Sequence, residues 1–124
     1  MSPKEFVFEK QPRSDVERIA VLAFYLTHFR DMPHFKTLDL SKLNTEAAQP
    51  KFANTANSAS NAVKQGYLVP SSKGMRQLSA VGERFVAALP DRETARAAMA
   101  AAKPKRRAQR KPAPSKNTES LRNE

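Results

Sequence analysis

The side chains best placed for chemistry in this chain are cations with short polar neighbours. Lys51 and Lys64 bracket Thr55, Asn57, Ser58 and Asn61, and Lys73 and Arg76 flank Gly74 in a polar turn. A denser group follows: Lys103, Lys105, Arg106, Arg107, Arg110 and Lys111, with no acidic residue between them. Lys and Arg neutralise phosphates and release their counterions, Asn pairs in two-pronged fashion with adenine, and Ser or Thr serves bases or phosphates. These types suit a polyanion that carries bases. The bland alternative is that they coat an exposed helix and keep a turn soluble.

Catalysis has no comparable set. His28 and His34 are the two histidines, with Asp31 between them, but Pro33 breaks the helix that would align all three. A metal site needs more ligands at better spacing. The three glycines, Gly66, Gly74 and Gly82, form no phosphate-loop pattern. The chain has no cysteine, which removes disulfides, thiolate metal sites and cysteine nucleophiles. Asp15, Glu17 and Glu83 are accounted for by helix starts, where negative charge is favourable. Tyr25, Phe29 and Phe35 read as core. The expectation is no enzyme, no cofactor, no metal and no evident small-molecule ligand.

Global charge points the same way as the cation clusters. The 124 residues carry 22 Lys and Arg against 12 Asp and Glu, a net charge of +10. Such a balance favours nucleic acid, less often an anionic membrane surface. Residues 103–124 hold 8 basic and 2 acidic side chains, so +6 of the +10 sits in the last fifth of the chain. That segment has three prolines and one large apolar residue, Leu121. It cannot bury enough apolar surface to offset the entropy of ordering it, and is expected to be a disordered basic tail. No run approaches a membrane span and the N-terminus has no signal-peptide core, so a cytoplasmic, nucleoid-associated location is expected, with no membrane partner.

The elements that must position these residues follow from caps and periodicity. Residues 1–12 read as a flexible arm, with a short edge strand as an option that would put Phe6 and Phe8 on one face. Ser14 and Glu17 form a capping-box pattern, and Val16, Ile19, Ala20, Ala23 and Leu26 recur at helical spacing, predicting a helix over 15–31 that ends before Pro33. A second helix is capped by Thr37 or Ser41, is anchored by Leu38, Leu40, Leu43 and Ala47, and runs to about residue 48. A third lies between Asn54 as N-cap and Gly66 past its end. Its inward face is expected at Ala56, Ala59, Ser60 and Val63, with Ser58, Asn61 and Gln65 opposite. A short hairpin over 67–78 follows, turning at Ser71–Gly74. Ser79 caps a helix packed through Val81, Phe85, Val86 and Leu89, and Asp91 caps a last, alanine-rich helix that either packs weakly or serves a dimer contact. Gly82 is expected to let the first turn of its helix pack closely on the hairpin.

The order helix, helix, helix, hairpin, helix resembles a winged helix-turn-helix domain of bacterial and archaeal transcription regulators of the MarR-like superfamily. Three stretches carry the resemblance: "PKFANTANSASNAVKQGYL" as turn and recognition helix, "AVKQGYLVP" as its end and first wing strand, and "QLSAVGERFV" as the helix after the second wing strand, with Ser79 where Thr is usual. They lie within about residues 14–89. The implied architecture is mainly α with a small β-hairpin: a flexible arm over 1–12, a winged helix-turn-helix domain over 13–102 and a disordered basic tail over 103–124. The resemblance implies double-stranded DNA as partner and a homodimer, with Lys51, Thr55, Asn57, Ser58, Asn61, Lys64, Lys73 and Arg76 at the interface and the tail cations adding sequence-independent affinity. A transcription regulator or a chromosome- or plasmid-associated factor would fit. RNA stays open as a partner of the tail. The competing expectation is a protein-interaction module whose tail alone meets nucleic acid.

Overall fold

A computed structural model describes residues 1–102, and the six tail cations Lys103 to Lys111 lie outside the described residues. The chain is mainly helical with a small antiparallel sheet. In order come α1 (Pro3–Lys10), α2 (Asp15–Phe29), α3 (Thr37–Glu46), α4 (Thr55–Lys64), β1 (Leu68–Pro70), β2 (Arg76–Leu78), α5 (Ala80–Ala88) and α6 (Arg92–Ala102).

α2 is the central pillar. Ile19, Ala20, Val21, Leu22, Ala23, Tyr25 and Leu26 are all buried, so the helix is covered on nearly every side, as an element apolar around its circumference must be. α1, α3, α4, α5 and β2 all touch it. Ser14 Oγ accepts from the Glu17 N–H at 3.1 Å, the expected cap. The Glu17 carboxylate completes no box; it accepts from the Arg13 N–H and pairs with Arg92.

The N-terminal stretch departs from the expected flexible arm or edge strand. Ser2 and Glu5 form a reciprocal capping box, and Pro3 occupies the first helical position, where its missing N–H costs nothing. The helical turn separates Phe6 from Phe8. Phe6 is buried against Phe24, Tyr25 and Phe29 with ring centroids 5.3–5.6 Å apart, whereas Phe8 is 80% exposed. The Tyr25 hydroxyl donates to the Met1 carbonyl at 2.6 Å, and Lys10 Nζ donates to the Leu89 carbonyl at 3.1 Å beyond the end of α5.

α3 begins at Thr37, so neither Thr37 nor Ser41 is its cap; Lys36 is, and its N–H is held by the Asp39 carboxylate at 2.8 Å. The following turn is fastened to the pillar. Arg18 is 8% exposed, donates to the Pro50 carbonyl at 2.7 Å and to Asp15 at 3.0 Å, and lies 4.3 Å from the Phe52 ring centroid. Asn44 donates to the same carbonyl.

Ser79 caps α5 through the Gly82 N–H at 2.9 Å, and its own N–H donates to the Tyr67 carbonyl at 3.0 Å. Asp91 caps α6 through the Thr94 N–H at 3.1 Å. α6 packs back on α5: Ala95 is fully buried and Met99 lies against the core.

The Glu17–Arg92 pair joins α2 to α6, with the side chains 17% and 16% exposed. Burial pushes the Glu17 carboxyl up, but the Arg92 guanidinium and the Arg13 N–H outweigh it and hold it below its usual value. A lowered folded-state value means the contribution is complete once the unfolded-state carboxyl is also ionised, above about pH 5, and is lost as pH falls through the folded-state value. Urea melts from pH 7 to pH 3 should therefore show an acid-side loss of stability that Glu17→Gln reduces. An unchanged acid limb in Glu17→Gln would show that the pair contributes nothing to it.

Candidate nucleic-acid interface

α4 is set against α2, α3 and the first strand. Asn54 Oδ1 accepts from the Asn57 N–H at 3.0 Å to start it. Its end is a Schellman closure: the Tyr67 N–H reaches the Ala62 carbonyl at 2.9 Å, the Gly66 N–H reaches Val63 at 3.0 Å, and Gly66 takes φ +92°. That closure launches the chain directly into β1.

The inward face of α4 is Ser58, Ala59 and Ala62. Ala56 is exposed, not buried as expected, and Ser60 and Val63 are half-buried. Ser58 is 7% exposed, which removes it from the expected polar contact face. The reason is size: serine and alanine both permit close approach to α2, so this sequence contains little contrast to choose between adjacent faces. The outward side carries Asn57 and Lys64 in full view, with Thr55, Ser60 and Asn61 half-exposed. Lys51 is exposed in the turn before the helix.

β1 and β2 pair antiparallel, with Leu68 opposite Leu78 and Pro70 opposite Arg76. The connection closes through the Ser71 N–H to the Met75 carbonyl at 2.8 Å. Two residues at its tip are left-handed, Lys73 at φ +58° and Gly74 at φ +75°. Lys73 is exposed there. Arg76 is half-buried: one guanidinium nitrogen donates to the Thr37 hydroxyl at 3.1 Å, and its backbone pairs with Phe35 at 2.8 and 3.0 Å. Arg76 thus ties the hairpin to the start of α3 as well as lining its face. His34 does similar work, with Nδ1 2.8 Å from Ser71 Oγ, and His28 lies 3.2 Å from Glu83. The two histidines have separate structural neighbours.

Lys64 and Arg76, about a dozen residues apart in sequence, stand in the lining of one groove of about 360 Å³ between α4 and the hairpin. Val63, Pro70 and Met75 supply its apolar surface, Ser60 contributes to its lining, and no carboxylate lines it. Ser60 was expected on the inward face of the helix, and Met75 was not among the expected contact residues; the Asn54 cap fixes where α4 starts, but which face turns outward depends on the packing partner. A larger open groove of about 1280 Å³ runs between α1 and residues 47–50, with Val7, Phe8, Pro12 and Arg18 in its lining. Among the described residues no group of three or more His, Asp or Glu could hold a metal, and no helix is long and apolar enough to cross a membrane.

No protein-family model, curated protein or solved structure matches this chain.

Proposed function

We propose that this protein binds double-stranded DNA in the manner of a winged helix, as a transcription regulator or a chromosome- or plasmid-associated factor in the cytoplasm. α4 enters the major groove with Thr55, Asn57, Ser60 and Asn61 towards the bases, while Lys51, Lys64, Lys73 and Arg76 meet phosphates. The observation that carries this reading is the groove between α4 and the hairpin, which has cations in its lining, no carboxylate and an outward helix face of short hydrogen-bonding side chains. An α-helix, about 10–12 Å across with its side chains, suits the major groove, about 12 Å wide. The basic segment 103–124 adds affinity that reads no sequence.

Salt titration against duplex DNA tests it, using the full chain and a full-length variant in which the six cations from Lys103 to Lys111 are glutamine. If about five of those cations engage phosphate, the slope of log K on log salt should be shallower in the variant by roughly 4 to 5. The variant should still bind at low salt, and Lys73→Ala should weaken it further. A variant that no longer binds would leave the folded part without a DNA site. It would then favour the second reading, a protein-interaction module, for which the α1 groove and the exposed Phe8 are the supporting observations.

A further inference from the structure

The outward chemistry of α4 is narrower than DNA binding alone requires. Its first two turns expose Ala56 and Asn57, half-expose Thr55, Ser60 and Asn61, and contain no cation; Lys64 comes only in the last turn. Guanine presents two acceptors, O6 and N7, and is read most often by the paired donors of Arg or by Lys. A carboxamide offers one donor and one acceptor, which adenine complements through N7 and N6. The Asn57 side chain is exposed and engaged in no hydrogen bond among the described residues, because its cap bond to Asn54 is made by the backbone N–H. Ala56 beside it offers a methyl suited to the thymine methyl. The groove next to α4 independently provides what such a helix needs for seating, with Lys64 and Arg76 in its lining to meet a phosphate strand.

Resting on the DNA-binding reading, we infer that α4 selects adenine·thymine over guanine·cytosine pairs, with Asn57 as the discriminating residue. Lys64, Lys73 and the tail set affinity without choosing the base.

The full chain is titrated, at one salt concentration, against two duplexes of equal length whose central turn is all A·T or all G·C. The A·T duplex should bind about 5- to 150-fold more tightly, the range of one good two-pronged base contact. Asn57→Ala should bring that ratio below about twofold and leave the G·C affinity within about twofold of the parent. Lys64→Ala should weaken both duplexes alike. Equal binding of both duplexes by the parent overturns the inference and leaves the DNA-binding reading standing, as does a preference that Asn57→Ala leaves intact. Binding to neither duplex overturns both. Asn57 has no buried contact to lose and alanine suits a helix, so the variant reports on recognition and not on folding.

Discussion

Gly82→Ala should destabilise the protein by about 1–3 kcal/mol, the cost of forcing a methyl into packed surroundings. Elsewhere in a helix the same change is favourable by up to about 1 kcal/mol. Here the sign reverses because a Cβ at Gly82 would stand 2.3 Å from the Tyr67 carbonyl oxygen and 2.9 Å from Leu78 Cδ1. The Leu78 side chain could turn aside, but the Tyr67 carbonyl cannot move cheaply. It accepts the Ser79 N–H, and the Tyr67 N–H closes the end of α4. Relief would have to displace α5 from the hairpin, and with it the spacing between hairpin and α4. At roughly 4–8 °C per kcal/mol for a domain of this size, the midpoint should fall by about 4–24 °C. Gly66→Ala is the comparison: nothing lies within 4 Å of a Cβ there, so the left-handed φ of +92° is its main cost. Thermal and urea melts of both variants check this, and a Gly82→Ala protein as stable as the parent would mean that α5 does not rest on the hairpin as described.

Phe6→Ala should cost about 3–5 kcal/mol, the range for deleting a buried aromatic side chain. Phe8→Ala, two residues on, should stay within about 0.5 kcal/mol. Phe6 is 4% exposed and stacked on Phe24, and Phe8 is 80% exposed. For a domain whose whole stability is of order 5–15 kcal/mol, the first loss is a large share and the second is not. It would also release α1 from the aromatic cluster and uncover Phe24 and Phe29. Urea unfolding of the two variants side by side is decisive: equal effects, in either direction, would restore an extended arm with both rings on one face.

Most helix boundaries were legible because the signals are local. Ser14, Asn54, Ser79 and Asp91 each cap an N–H within three residues, and Gly66 closes α4 through residues it nearly touches in sequence. α1 was less legible: the spacing of Phe6 and Phe8 also fits a strand, and the local start signal is the set Ser2, Pro3 and Glu5. The candidate interface was legible only in part. Lys51, Asn57, Lys64 and Lys73 are exposed, and Thr55 and Asn61 half-exposed, where the helical and hairpin readings put them on the surface. Ser58 is buried and Ser60 lines the groove, because which side of a helix of small residues faces inward depends on what it packs against.

By itself, then, the sequence determined the elements after residue 14, the caps of α2, α4, α5 and α6, the hairpin turn and the concentration of positive charge towards the C-terminus. Each of these rests on interactions within a few residues or on composition alone. Tertiary structure decided the rotation of α4, the burial of Phe6 apart from Phe8, the tie of Arg76 to Thr37 and of His34 to Ser71, and the meeting of Lys64 with Arg76 in one groove. These depend on how separate elements pack together. They exist only once the chain has closed around α2, and no local propensity encodes which of several similar small or polar side chains will be the one covered.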